Sequence, residues 1–239
     1  MIAAILQARM SSTRLPGKVL ADLAGAPMIA RQIERLSRAR AIDRLIVATS
    51  DDRSDDVLAD HLTKAGVEVF RGSMQDVLAR YAGAAAALDE ADLVVRLTAD
   101  CPLTDPGLID TMIGRQLASQ AHYTATTLPT RTYPKGLDAE VMSVGTLRLA
   151  AAEAVDPYER EHVTPFIYRR PERFTLGGVS QDRDEGEVRW TVDRPDDLDF
   201  VRAVYEALYR EGEHFTSDDI RRLVRGRPDL ARLGGDPRV

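Results

Sequence analysis

Cysteine is almost missing from this chain: Cys101 is the only one in 239 residues. A lone thiol forms no internal disulfide and no cysteine-based zinc site, which fits a reducing cytoplasm. Long apolar runs are missing too. Residues 1–6 are apolar, but the run stops at Gln7 and Arg9 and has no basic leader. It is too short for a signal peptide or a membrane span, so no membrane partner is expected. Nor is there surplus positive charge: 32 Lys and Arg stand against 38 Asp and Glu, a formal net charge of −6. Affinity for nucleic acid rests largely on Lys and Arg neutralising phosphates, so no nucleic acid is expected and a small or charged substrate suits the chain better. No internal repeat or low-complexity linker interrupts the sequence, and its length fits one large α/β domain with a sizeable core.

What is present is an alternation of periods. Strand-like apolar runs at 2–7, 44–49, 68–70 and 93–97 alternate with helical spacing at 28–40, 53–65 and 74–88, where Ile29, Ile33 and Leu36 form one stripe. This predicts a doubly wound, mostly parallel sheet covered by helices. The second half is less regular. Strand-like 123–127, 139–142, 174–176 and 187–192 are separated by helices near 144–154 and 159–168, which predicts a mixed sheet with a substrate-side insertion. The helix after Pro195 carries Leu198, Val201, Val204 and Leu208 on one face. From Glu211 the chain reads as a short docked helix with a frayed end. Residues 1–210 are expected as the main domain and 211–239 as a C-terminal helix and tail.

After the first strand, residues 8–18 hold mostly small, cationic and turn-forming types: Arg9, Ser11, Ser12, Thr13, Arg14, Pro16, Gly17 and Lys18. In open α/β sheets ligands bind outside the carboxyl ends of strands, which is where this loop falls. Small hydroxyl residues let backbone N–H groups approach phosphate oxygens, while Arg9, Arg14 and Lys18 offset several negative charges, a combination suited to a triphosphate. A solvated basic connection is the alternative. The loop is not a P-loop, because its Gly-Lys pair lacks the upstream glycine, and no G-x-G-x-x-G follows the strand.

Asp100 ends another strand at the same sheet edge. It is either a turn residue bonded to its own backbone or a hard oxygen ligand for Mg²⁺, which takes one or two carboxylates plus substrate phosphates. Asp193, with Pro195, Asp196 and Asp197 behind it, reads by itself as a helix start. Arg71 follows a short strand and opens a helix, so it reaches a nucleotide or is solvated surface; Thr49 and Ser50 are further candidate contacts. Asp138 and Glu140 are alternate polar positions beside a glycine turn. Glu159 and His162 share a helical face, but a pair of this kind does not by itself support a di-metal site. His162 is either a general base or a structural histidine, and Trp190 is core or pocket wall.

The order of the loop residues adds more. Ala8-Arg9-x-x-Ser12-Thr13-Arg14-Leu15-Pro16-Gly17-Lys18-x-Leu20 closely resembles the nucleotide-binding signature of 3-deoxy-manno-octulosonate and acylneuraminate cytidylyltransferases. Asp100-x-Pro102-Leu103 is similar to the metal-binding turn of that family, although Cys101 stands where the octulosonate enzymes usually have glutamate. Val192-Asp193-x-Pro195-x-Asp197-Leu198 is similar to the string whose first aspartate completes the magnesium site. Residues 71–81, 133–141 and 159–165 resemble strings of the spore-coat-polysaccharide-type cytidylyltransferases. The likeness extends over nearly all of residues 1–210. It implies a three-layer α/β/α nucleotidyltransferase fold of the glycosyltransferase-A type, with a mostly parallel mixed sheet.

The implied reaction is transfer of CMP from CTP to a 2-keto-3-deoxy sugar acid, releasing pyrophosphate. Ala8, Arg9, Ser11, Ser12, Arg14, Lys18, Arg71 and Asp76 are implied at the nucleotide, with Arg9, Lys18 and Asp100 in the chemistry. Asp100 and Asp193 are implied as the Mg²⁺ ligands. Lys135, Asp138, Glu140, Arg160 and His162 are implied on the acceptor side, Lys135 or Arg160 pairing a sugar carboxylate. A cytoplasmic homodimer goes with the resemblance. Two other readings stay open: a sugar 1-phosphate or phosphonate acceptor, and a nucleotide-binding module without catalysis.

Overall fold

The computed structural model describes residues 1–239. Seven strands make the main sheet: β1 (Ile2–Gln7), β4 (Arg44–Ser50), β5 (Glu68–Gly72), β6 (Leu93–Thr98), β7 (Tyr123–Ala125), β8 (Glu140–Ser143) and β9 (Leu176–Gly178), while β2 (Asp22–Leu23) and β3 (Ala26–Pro27) form a small hairpin. The helices are α1 (Met28–Leu36), α2 (Asp56–Lys64), α3 (Val77–Ala84), α4 (Pro106–Ser119), α5 (Val144–Glu153), α6 (Pro157–His162), α7 (Pro165–Tyr168), α8 (Pro195–Leu208), α9 (Ser217–Arg225) and α10 (Pro228–Ala231). The strand order is β5-β4-β1-β6-β8-β7-β9. The first four strands are mutually parallel, and β8 joins antiparallel to both β6 and β7.

Alternation along the central strands creates the layers. Ala4, Leu6, Val47, Val95 and Leu97 face one core with α1, α4 and α8, while Ala3, Ile5, Ile46, Ala48 and Val94 face a second core with α3, α5 and α7. A strand buried on both faces reads as a continuous apolar run, which is why β1, β4 and β6 were visible as such. The register sets Gln7 opposite Thr98, so the loops after β1 and β6 leave the sheet side by side.

Four differences from the sequence expectations have physical causes. Residues 187–192 form no strand, only one bridge between Lys135 and Arg189. Their amides go elsewhere: Arg189 N–H to the Pro237 carbonyl (2.9 Å), Trp190 N–H to Lys135 (2.7 Å) and Val192 N–H to Asp100 (2.7 Å). Helix α4, not anticipated, is started by Asp105, whose carboxylate accepts the Gly107 amide at 2.9 Å, with Pro106 in the first turn. The single helix expected over 159–168 is two, because Val163 has φ +72° and Pro165 begins α7. Finally, the end of the tail is not frayed: Arg238 is fully buried and pairs with Asp197 at 2.9 Å.

Candidate active site

The loop after β1 is shaped by a buried carboxylate. Ala8 still belongs to the sheet, its amide bonded to the Ala48 carbonyl at 3.1 Å. Asp55, fully buried, then accepts the Met10 amide at 2.6 Å, the Thr49 hydroxyl at 3.0 Å and the Ser50 amide at 3.1 Å, and is also bonded by the Ser50 hydroxyl. The Gly17 amide closes the loop onto the Met10 carbonyl at 3.0 Å. Gly17 has φ +72°, a left-handed conformation that costs glycine nothing. This folding leaves the amides of Arg9, Ser11, Thr13 and Arg14 without protein partners. Such a set of free N–H groups, with the Arg9 side chain unpaired and exposed, has the chemistry to receive an anion.

Beneath the loop lies a cavity of roughly 390 Å³ lined by Arg9, Ser12, Thr13, Arg14, Lys18, Asp100 and Asp193. The Lys18 ammonium sits between the two aspartates, 3.1 Å from Asp193 Oδ1 and 3.6 Å from Asp100 Oδ2, and donates to the Val192 carbonyl at 2.6 Å. Thr98 donates to Asp100 Oδ1 at 2.6 Å. The Asp100 carbonyl accepts the Val192 amide and the Thr191 hydroxyl (3.1 Å), which ties the two aspartate segments together. Arg14 reaches Asp193 Oδ1 at 3.1 Å and Arg189 holds Oδ2 at 2.7 Å. Burial by itself would raise the Asp193 pKa, but the Arg189 hydrogen bond and the Lys18 charge outweigh it and hold the carboxyl below its usual range. Two hard oxygens facing one ammonium suit a dication that takes one or two carboxylates plus phosphate oxygens. No cluster of three or more acidic, histidine or cysteine side chains exists to hold a metal by protein ligands alone.

A second cavity of roughly 440 Å³ adjoins the first, and His162 lines both. The His162 ring packs against Tyr158 with centroids 4.2 Å apart. The Glu140 carboxylate is fully engaged: it pairs with Arg96 and accepts hydrogen bonds from the Tyr123 phenol and from the Thr164 hydroxyl at 2.6 Å. Burial, reinforced by Glu140, pushes the Tyr123 phenol well above its usual pKa, so it stays a donor. Across the cavity Arg131 faces Asp138 at 2.5 Å. The connection beside it requires glycine: Gly136 has φ +111°, and a Cβ there would lie 2.5 Å from the Thr191 nitrogen.

The structure therefore gathers Ala8, Arg9, Ser12, Arg14, Lys18, Asp100 and Asp193 in one cavity and Asp138, Glu140 and His162 in or beside the other. It does not bring the remaining candidates there. Arg71 donates to the Ser50 and Asp52 carbonyls and pairs with Asp56 at 2.7 Å. Asp76 caps α3 through the Ala79 amide and pairs with Arg160 at 2.6 Å, while Arg160 also donates to the Ala151 and Ala154 carbonyls. These two charges join α6 to α3. Lys135 pairs outward with Glu187, and Ser11 points toward the Met74 sulfur. Thr49 and Ser50 serve Asp55 rather than a ligand. Three contributors had no sequence signal. Asp55 reads as one of several acids near a helix start, Arg189 as an alternate strand position, and Arg131 as loop.

Free amides and cations at the end of the first strand, opposed by carboxylates from two other segments at the edge of a mostly parallel sheet, define the chain as a nucleotidyltransferase of the three-layer α/β class. The sequence model for cytidylyltransferases matches residues 3–215, and the chain belongs to that family of CTP-dependent enzymes. It is 32% identical over 243 residues to the spore coat polysaccharide biosynthesis protein SpsF of Bacillus subtilis, covering 95% of both chains. It is 31% identical over 241 residues to the 3-deoxy-manno-octulosonate cytidylyltransferase of Anaeromyxobacter sp., covering 86% of this chain and 98% of that one. Its fold matches that of a cytidylyltransferase from Leptospira borgpetersenii with a TM-score of 0.89 at 30% identity, over 96% of this chain and 95% of the other.

Proposed function

We propose that this enzyme transfers the cytidylyl group of CTP to the anomeric hydroxyl of an eight- or nine-carbon 2-keto-3-deoxy sugar acid for surface polysaccharide or glycan synthesis. The observation that carries the reading is the Lys18 ammonium held between Asp100 and Asp193 beneath the free loop amides, next to a second cavity entered past His162. The loop amides, Arg9 and Arg14 bind the triphosphate, and Lys18 offsets charge on it. The acceptor oxygen attacks the α-phosphorus in line with the bridging oxygen to the β-phosphate; that bond breaks and pyrophosphate leaves. His162, shared by the two cavities, receives the hydroxyl proton. Mg²⁺ held by Asp100 and Asp193 would neutralise phosphate charge and make the acceptor hydroxyl more acidic. Positioning and charge neutralisation are the general pattern for such transfers.

Arg131 takes the role first considered for Lys135 and Arg160: it lines the second cavity, and its guanidinium faces Asp138 alone among the acids. A substrate carboxylate would share the Arg131 guanidinium with Asp138, adding only one negative charge to a cavity whose cations are already paired. A phosphate dianion matches less well, because Arg96 and Arg131 each already face a carboxylate. A cytoplasmic location and a homodimer complete the reading; light scattering on the purified protein checks the latter. The deciding experiment is a pyrophosphate-release screen of CTP, UTP and ATP against 2-keto-3-deoxy acids and sugar 1-phosphates, with and without Mg²⁺. CTP- and Mg²⁺-dependent release with an eight- or nine-carbon acid is expected, and release with no nucleotide dependence would overturn the assignment.

A further inference from the structure

The last residues of the chain lie beyond the stretch matched by the family's sequence model, which ends at residue 215, yet they close on the segment that carries Asp193. The Arg238 side chain, with no solvent exposure, donates to Asp197 Oδ1 at 2.9 Å and to the Arg189 carbonyl at 2.7 Å. Its own carbonyl accepts the Trp190 indole N–H at 2.8 Å, and the preceding Pro237 carbonyl accepts the Arg189 amide. Asp197, equally buried, receives two hydrogen bonds from the Arg189 guanidinium, at 3.0 and 2.9 Å, and the amides of Asp193 and Arg194. Arg189 is thus fixed at its backbone by the tail and at its guanidinium by Asp197. The same guanidinium donates to Asp193 Oδ2 at 2.7 Å.

We infer that Pro237 and Arg238 are a positioning latch for the active site: acting through Asp197 and Arg189, they immobilise Oδ2 of Asp193 and present Oδ1 toward Lys18 and Asp100. The inference rests on the reading of Asp193 as a metal-side carboxylate. Three observations favour positioning over simple ballast. The network runs from Arg238 through Asp197 and Arg189 to a cavity-lining residue. It leaves Oδ1 facing the cations of the cavity, Lys18 and Arg14. And a buried ion network is poor evidence for stability, because desolvating its charges offsets what their attraction returns, so orientation is the better account of its presence. Arg189 and Arg238 are positioning residues in this scheme, not catalytic ones.

The test uses the full chain. Mn²⁺ affinity in the presence of CTP is read by electron paramagnetic resonance for wild type, Arg189→Met, Arg189→Lys and Arg238→Met, alongside circular dichroism, melting temperature and the KM of the acceptor found in the screen. Partners that orient a metal ligand are worth about 10- to 100-fold in metal affinity. Arg189→Met is expected to weaken Mn²⁺ binding within that range with an unchanged spectrum and acceptor KM. Arg189→Lys, which keeps a cation beside Asp193, should recover part of the loss. Arg238→Met, which does not touch Asp193 itself, should shift Mn²⁺ binding in the same direction by less. Wild-type Mn²⁺ affinity in either folded methionine variant, with only the melting temperature lowered, overturns the latch. Should Arg189→Met fail to fold, Arg189→Lys and Arg238→Met decide. If wild type itself binds no Mn²⁺ with CTP, the reading of Asp193 falls first and the latch with it; normal wild-type binding with indifferent variants removes the latch alone.

Discussion

Lys18 is the residue on which both halves of the nucleotide cavity meet. Its chain runs from the loop after β1 to a point within reach of Asp100 and Asp193, which come from different parts of the sequence. Removing the ammonium leaves Asp100 without its counter-charge, while Asp193 keeps Arg14 and Arg189, and takes one cation from the triphosphate. Lys18→Ala is expected to keep the fold but lower kcat by about 10²- to 10³-fold, the usual cost of losing one fixed charge-stabilising donor. Steady-state pyrophosphate release checks this, and unchanged turnover in folded protein contradicts the role. Lys18→Arg should not restore activity, because a planar fork cannot occupy the place of a compact ammonium between two aspartates. His162 is a separate case, since its ring touches Tyr158 and lines both cavities. If it accepts the acceptor's proton, His162→Asn should lower kcat by about 10²-fold or more while CTP affinity, measured by calorimetry, stays near wild type. A loss confined to CTP binding would instead make it a nucleotide contact.

At the scale of elements, the loop after β1 depends on Asp55 at the start of α2. That one carboxylate gathers the Met10 amide, Thr49 and Ser50 from β4, so the loop, the strand end and the helix start are a single unit. Asp55→Ala orphans several buried donors at once and should cost on the order of 2–4 kcal/mol in a urea melt. It should also raise the KM for CTP, because the free amides lose their common orientation. A variant that loses stability with the CTP KM unchanged would show the loop to be held by other means. The elements also explain what could be read from sequence. β1, β4 and β6 are buried on both faces, and their apolar runs gave them away. α4 carried ordinary signals in Asp105, Pro106 and a stripe of Leu108, Ile109, Met112 and Ile113, and was overlooked. The break near Val163 had a local signal in Pro165, which a helix interior excludes, whereas the loss of the 187–192 strand had none. The lost strand follows from where distant partners take the backbone, Pro237 and Asp100.

For the whole molecule, buried carboxylates paired with arginine set the response to pH. Burial would raise Asp197 and Glu185, but hydrogen bonds from Arg189 to the first and from Arg221 to the second outweigh it and hold both below the usual carboxylate range, as Arg189 and Lys18 hold Asp193. A carboxylate whose folded-state pKa is depressed contributes stability that is complete above its unfolded value, about 4, and lost as pH falls through the lower native value. The urea midpoint should therefore change little through neutral pH and drop below about pH 4. Asp197→Asn should be less stable at neutral pH and show a shallower acid limb. An identical acid limb would remove Asp197 from that account.

The sequence alone determined the alternation of strands and helices in the first half, the cationic loop after the first strand and, through the order of its residues, the resemblance to cytidylyltransferases that the family match bears out. These are local properties: periodicity, turn chemistry and residue order belong to neighbours along the chain. Only the tertiary structure decided which charges face the cavities and which face one another. It set Asp76 against Arg160 as a brace between helices, assigned Thr49 and Ser50 to Asp55, and brought Arg131 into the second cavity. It also carried the chain end back to Arg189. A charged side chain has the same composition whether it meets a ligand or a protein partner. The outcome is set by the nearest opposite charge in space, and in this fold that partner is 84 residues away for Arg160 and 175 for Lys18.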